Sequence, residues 1–198
     1  MKLVVASRNP GKVTELRDLL QGNGWEVVGL ADVGFDQEVT EDGYTFEANA
    51  RKKARAVAKK VRTWTLADDS GLEVDALGGE PGVQSARYAG DNASDTDRMK
   101  KLLDRMIAVP DENRTARFRC VICLVDPKGR AHTFSGRCEG RIAHHARGHA
   151  GFGYDPVFIP DGNSKTFGEL GLDVKRRLSH RARAMQKVVA YLRKQGKS

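Results

Sequence analysis

The stretch Leu3-Val4-Val5-Ala6-Ser7-Arg8-Asn9-Pro10-Gly11-Lys12 decides the fold. Its apolar run reads as a short buried strand, and Ser7 to Gly11 as the turn that leaves it. Val13, Leu16, Leu19 and Leu20 then fall at helical spacing, and Gly22 and Gly24 stop that helix. Trp25 to Leu30 reads as a second strand. A strand–loop–helix–strand opening predicts an α/β protein.

The rest of the chain extends this pattern. Phe46, Ala50, Ala54, Val57, Ala58 and Val61 mark one face of a long helix, whose other face carries Arg51, Lys52, Arg55, Lys59, Lys60 and Arg62. Thr65-Leu66-Ala67 is expected as a strand running into Asp68-Asp69-Ser70-Gly71, a carboxylate cluster at the strand end or else a polar turn, followed by Leu72 to Leu77. Ser94 with Asp97 three residues on resembles a helix-starting box, followed by Met99, Leu102, Leu103, Met106 and Ile107 at helical spacing. Ala116, Phe118, Cys120, Ile122 and Leu124 alternate strictly and predict a long strand. Asp126 to Gly129 is the turn, and Ala131 to Glu139 the returning partner. Met185, Val188, Val189 and Leu192 mark a last helix capped by Ser179. There is no repeat, low-complexity segment or linker, so residues 1–198 read as one domain, with the hairpin block forming a smaller lobe.

Composition narrows the class. With 39% hydrophobic and 30% charged residues, the chain is neither disordered nor fibrous. Leu3 to Ala6 is too short for a signal-peptide core or a membrane span, so a cytoplasmic protein with no membrane partner is expected. The cysteines, Cys120, Cys123 and Cys138, are few and odd in number, which suits a reducing compartment. A net charge of +8 calls for an acidic partner: nucleic acid, an anionic surface or a phosphorylated metabolite.

Several segments carry chemistry. Ser7 to Lys12 lie between a strand and a helix start, where free N–H groups, the helix dipole and the Lys12 ammonium suit a phosphate. It is not a Walker loop, because Ala6 and Val13 stand where Gly and Ser or Thr are needed. The same residues also make an ordinary βα turn. Asp68 and Asp69, with Glu73, Asp75, Glu41 and Asp42, supply oxygen ligands of the kind Mg²⁺ takes, or else polar caps. Lys53, one turn from Asn49, is a phosphate ligand if it faces a cleft and a snorkelling surface lysine if it does not. Cys120 and Cys123 match C-x-x-C, but strand alternation sends them to opposite faces. His144, His145 and His149 lack zinc-ligand spacing to a cysteine or carboxylate and read as a polar loop. In Gly151-Phe152-Gly153-Tyr154-Asp155 two rings sit among glycines, as base-stacking rings or as core aromatics of a tight turn. His180 and Arg181 open the last helix, where they are placed to read a carbonyl or phosphate.

Taken together, these segments resemble the inosine triphosphate pyrophosphatases, specifically the bacterial-type dITP/XTP pyrophosphatases. The resemblance runs through Ser7 to Lys12 with Glu15, Thr45 to Ala50 with Lys53, and Ala67 to Leu72. It continues through Pro81-Gly82-Val83 with Ser85 to Tyr88, Gly151 to Pro156, and Ser179-His180-Arg181. It implies an elongated, two-lobed α/β fold: a long central mixed sheet flanked by helices, with an active-site cleft between the lobes. It also implies a Mg²⁺-dependent homodimer that hydrolyses dITP, ITP and XTP to the monophosphate and pyrophosphate. By position, Ser7, Arg8, Asn9, Pro10, Gly11 and Lys12 match the triphosphate loop, and Glu41 and Asp69 the metal ligands. Asp69 also matches the general base, and Ser70 a substrate contact. Phe152, Gly153, Tyr154, Asp155, Lys175, His180 and Arg181 match base and nucleotide contacts.

Phosphoryl transfer needs charge neutralisation and positioning more than covalent help. Lys12 and Lys53 suit the first task, and Asp69 suits orienting or deprotonating water. A C6 carbonyl separates hypoxanthine and xanthine from adenine, and a donor from Arg181 or His180 would read it. Two other classes remain open. A nucleic-acid-binding module would use the Arg/Lys helix faces and have no use for the acid cluster. A related phosphatase acting on modified pyrimidine nucleotides would keep the phosphate residues and change the base loop.

Overall fold

The computed structural model describes residues 1–22 and 24–195. Asn23 and residues 196–198, which the expected 1–198 domain includes, lie outside the described residues.

Apolar Leu3 to Val5 form β1 (Lys2–Val5), and Asn9 starts α1 (Pro10–Leu20) as the sequence pattern requires. β2 is shorter than expected, Glu26–Val28, because its pairing with β1 runs only from Lys2 opposite Glu26 to Val4 opposite Val28. A 3-10 turn at Ala31–Val33 follows it. The long amphipathic helix is α2 (Phe46–Val61), capped by the Thr45 hydroxyl. β3 (Trp64–Val74) then lies parallel to β1 on the side opposite β2.

β3 extends past the expected strand end. Asp68-Asp69-Ser70-Gly71 lies inside the strand, whose residues are buried almost throughout. A central strand covered on both faces reads as a near-continuous buried run, and here polar residues occupy part of that run.

α3 (Asp95–Arg105) carries the reciprocal Ser94–Asp97 capping box. β4 (Thr115–Val125) and β5 (Ala131–Ile142) are joined by the expected turn, in which Asp126 N–H donates to Arg130 O at 3.0 Å. β6 (Phe158–Pro160) pairs antiparallel with β5, placing Ile142 opposite Phe158. Two helices close the chain, α4 (Phe167–Leu178) and α5 (His180–Gln195), with Ser179 at the junction. The mixed sheet has the order β2-β1-β3-β4-β5-β6. No described helix is long and apolar enough to cross a membrane.

The chain divides into two compact units. One comprises Met1–Asp69, Cys120–Gly136 and the chain from Arg181 onward; the other comprises Ser70–Arg119 and Arg137–His180. In the first, Leu3, Val5, Leu16, Leu66, Ile122, Met185 and Val188 share one core. In the second, Leu72, Val74, Leu102, Phe118, Tyr154, Phe158 and Phe167 share another. The buried guanidinium of Arg114 ties the second unit together by donating to the carbonyls of Met106, Ile142 and Ala143.

Candidate active site

The first unit holds a charged cluster built on consecutive residues of β3. Successive strand side chains point to opposite faces, so Asp68 and Asp69 serve two different sides of the sheet. Asp68 faces α1 and α5. Its Oδ2 is 3.4 Å from Lys12 Nζ and accepts from Arg181 Nε and NH2, both at 3.2 Å. Arg181, only 1% exposed, also pairs with Glu15. Burial pushes the Asp68 carboxyl up, but Lys12, Arg181 and Lys53 outweigh it and hold the group below its ordinary value. The same surroundings hold the Arg181 guanidinium firmly protonated: burial opposes its charge, and Asp68 and Glu15 overcome that.

Asp69 faces α2. Its Oδ2 accepts from Asn49 Nδ2 at 3.1 Å, and its Oδ1 is 3.8 Å from Lys53 Nζ. Lys53 Nζ also donates to Glu41 Oε2 at 2.8 Å. The seven-residue step from Phe46 to Lys53 spans about two helical turns, which is why this lysine stands at the border of the apolar stripe and turns inward. Burial raises the Asp69 carboxyl, and the negative charge of Glu41 adds to that rise against Lys53, Lys12 and Asn49. Lys53 is raised as well: burial opposes its charge, and Asp69, Asp68 and Glu41 more than restore it.

The pair Glu41-Asp42 is resolved by geometry. Asp42 is exposed and accepts from Lys52 at 2.7 Å, whereas Glu41 meets Lys53 beside Asp69. Glu41 and Asp69 thus form an oxygen donor set with an ammonium already between them. Two carboxylates suit Mg²⁺, which keeps several waters and takes its remaining oxygens from substrate phosphates. Among the described residues no cluster of three or more acidic, His or Cys side chains forms a metal cage. His144 is exposed and pairs with Asp111 instead.

The loop Ser7 to Lys12 sits at the start of α1. Asn9 Oδ1 accepts from Lys12 N at 3.0 Å, Pro10 occupies the first helical turn, and the Ser7 hydroxyl accepts from Asn9 N at 3.3 Å. Arg8 is exposed and donates to Asp36 O, and Gly11 is half-buried in the first turn. The side chain of Lys12 reaches back to β3, which joins the loop to the carboxylates.

The second unit contains the glycine-aromatic segment and its partners. Lys175 Nζ donates to Asp155 Oδ2 at 2.6 Å and lies 4.3 Å from the Phe152 ring centroid. Asp155 Oδ2 also accepts from Phe152 N at 2.8 Å. A Cβ on Gly151, at φ +82°, would collide with that carboxylate, so glycine is required there. Phe152 stays partly exposed, and Gly153 N donates to Asp95 Oδ2. Tyr154 takes the second of the two readings open to these rings, a core aromatic of a tight turn. It is buried in the core and its hydroxyl donates to Ser85 O at 2.9 Å. His180 is buried and stacks on Phe118, with centroids 4.8 Å apart. Ser70 is half-buried on β3.

Arg181, expected as a donor facing a base, directs its guanidinium to Asp68 and Glu15. The cysteines are free and buried, and burial pushes the Cys120 thiol up to about 12 and Cys123 to about 11, so neither is a reactive thiolate. Much of the basic face of α2 is paired locally: Arg51 with Glu47, Lys52 with Asp42, and Lys60 with Gly34 O. Asn49 and Glu15 are the members of the cluster that sequence reading did not place in it. Both stand inside the matched motifs, but their partners lie 20 and 166 residues away.

The mixed sheet of this α/β protein thus carries a helix-start loop and a lysine–carboxylate cluster on a buried strand. A family model described as the Ham1 family matches residues 3–191, and the chain belongs to that family. A dITP/XTP pyrophosphatase of Desulforamulus reducens is 50% identical over 192 residues, 97% of this chain and 96% of that protein. One from Bacillus subtilis is 48% identical over 185 residues, 93% of each. Among solved structures, the Staphylococcus aureus Ham1 protein has a TM-score of 0.87 at 39% identity, with both chains covered fully. A HAM1 protein from Coxiella burnetii has a TM-score of 0.89 at 38% identity, over 98% of this chain and 99% of that one.

Proposed function

We propose that this chain hydrolyses non-standard purine nucleoside triphosphates, dITP, ITP and XTP, to the monophosphate and pyrophosphate, and so clears them from the cytoplasmic nucleotide pool. The observation that carries the reading is the pair of contacts at neighbouring residues of β3, where Lys12 meets Asp68 and Lys53 meets Asp69 and Glu41 within ion-pair distance. The names of its close relatives support the substrate class.

In this reading Glu41 and Asp69 hold Mg²⁺, which when bound neutralises and orients phosphate oxygens. Lys12, Lys53 and the N–H groups at the start of α1 receive the triphosphate. Asp69 takes the proton of the attacking water. The water oxygen bonds to phosphorus, the bridge between the α- and β-phosphoryl groups breaks, and pyrophosphate carries away the electron pair. Asp68 and Arg181 hold Lys12 and the first helix in register. Phe152 offers a ring face to a base, and Lys175 fixes that ring through Asp155. Ser70 and His180 are further nucleotide contacts, and the active form is a homodimer.

The test measures pyrophosphate and orthophosphate released from dITP, ITP, XTP, dATP and a modified pyrimidine triphosphate. Pyrophosphate from the first three, faster than from dATP by about 10³-fold or more, is expected of a site matched to the C6 carbonyl. Preferential turnover of the pyrimidine nucleotide, or orthophosphate as the product, would refute the assignment. Salt-sensitive binding to nucleic acid without turnover would return the chain to a binding module.

A further inference from the structure

One buried amide links the Asp69 carboxylate to the backbone of the loop that carries Glu41. Asn49 is 2% exposed on α2, where a polar group must be hydrogen-bonded to avoid a large desolvation cost. Its Oδ1 accepts from Gly43 N at 2.7 Å, and its Nδ2 donates to Gly43 O at 3.3 Å and to Asp69 Oδ2 at 3.1 Å. Gly43 follows Glu41 by two residues. A Cβ at Gly43 would stand 2.6 Å from Asn49 Oδ1 and 2.9 Å from the Ala48 Cβ, so glycine alone lets the loop close onto the amide. The start of α2 does not depend on this contact, because the Thr45 hydroxyl already caps Ala48 N at 3.1 Å. Asn49 therefore grips the backbone of the Glu41 loop with one end and the Asp69 carboxylate with the other.

We propose that Asn49 is a positioning residue, which through one carboxamide sets both the rotation of Asp69 and the distance at which Glu41 stands from it. It deepens the proposed function and rests on the reading of Glu41 and Asp69 as a divalent-metal pair. An N–H held against one oxygen of a ligating carboxylate fixes its orientation, the usual work of outer-shell partners around a metal.

The test uses Mn²⁺ as probe, titrated by electron paramagnetic resonance into the full chain without nucleotide. Melting temperature, kcat and KM for dITP are measured beside it. Asn49→Ala and Gly43→Ala should each weaken Mn²⁺ binding by about tenfold or more and lower kcat similarly, with KM near the parent value. Asp42→Asn, which alters only the neighbouring surface carboxylate, should change neither. Asn49→Asp keeps the acceptor for Gly43 N but withdraws the N–H from Asp69, so kcat should fall although the loop stays clasped. If Asn49→Ala does not fold, Gly43→Ala and Asn49→Asp make the same comparisons. Mn²⁺ affinity and kcat within about twofold of the parent, with only a lower melting temperature, would make Asn49 a structural brace and overturn the proposal. If the parent chain binds no Mn²⁺ and Glu41→Gln leaves kcat unchanged, the metal reading fails instead. The kcat and KM comparison then decides alone: a fall in kcat at constant KM upholds the positioning of Asp69, and any other pattern overturns it.

Discussion

Replacing Arg181 with Met should destabilise the first unit far more than a surface arginine would. The guanidinium is 1% exposed and donates twice to Asp68 Oδ2 at 3.2 Å and once to Glu15. Met fills a similar volume, so the change removes charge and hydrogen bonds while opening little space. It leaves Asp68 buried with Lys12 at 3.4 Å as its near cation, and Glu15 with 16% of its side chain exposed. Removing one partner of a buried pair costs about 3–5 kcal/mol, and the Lys12 contact places this case near 3. For a chain of this size that lowers the melting temperature by about 6–12 °C. Urea denaturation of the parent, Arg181→Met, Asp68→Asn and the double variant measures it. The double variant should recover part of the loss, with a coupling of about 1–3 kcal/mol between the sites. A single-variant loss under about 1 kcal/mol, or no coupling, would refute the reasoning, because the desolvated guanidinium would then contribute no net stability.

Lys12→Ala and Lys53→Ala should each lower kcat/KM for dITP by about 10–100-fold through a lost charge-assisted phosphate contact; unchanged constants would leave them as structural lysines. Phe152→Ala should lower kcat/KM for dITP, XTP and dATP by similar factors, since a stacked ring reads any purine face, and a change confined to one base would contradict that. Asp126 is buried, and burial raises its carboxyl, but the N–H groups and guanidinium of Arg130 and the N–H of Lys128 outweigh burial and hold it below its ordinary value. The stability it contributes is therefore present above the ordinary carboxylate pKa and lost as pH falls through its lowered value. Asp126→Asn should cost about 1.5 kcal/mol at pH 7 by urea denaturation and progressively less toward acid pH.

Local patterns were enough for the elements whose signal is repetitive. Alternation from Ala116 to Leu124 marks β4, the Phe46-to-Val61 stripe marks α2, and Ser94 with Asp97 marks the start of α3. The interior position of Asp68 to Gly71 was not legible, because polar residues at a strand's middle look like its end until their partners are known. Lys12, Arg181, Lys53 and Asn49 supply those partners from three separate helices, and only the fold brings them to the strand. α4 escaped notice because Gly171, at φ +79°, breaks its helical pattern, although Thr166 and Glu169 form the same type of capping box as Ser94 and Asp97. Tyr154 was ambiguous for a related reason: a ring between glycines is exposed or buried according to what lies across from it, here Ser85 O.

The proposed turnover centres on Asp69, at the middle of β3 between Lys53 and Asn49, with Glu41 on the same lysine. The most direct test is the kcat of purified Asp69→Asn for dITP, with the melting temperature recorded on the same sample. Asn keeps the shape and can still pair with Asn49 through its carbonyl, but it gives up the charge that receives a proton and binds metal. Turnover should fall by about 10³-fold or more while the variant stays folded. Retention of more than about a tenth of the parent kcat, a loss under about 1.4 kcal/mol, would contradict the account.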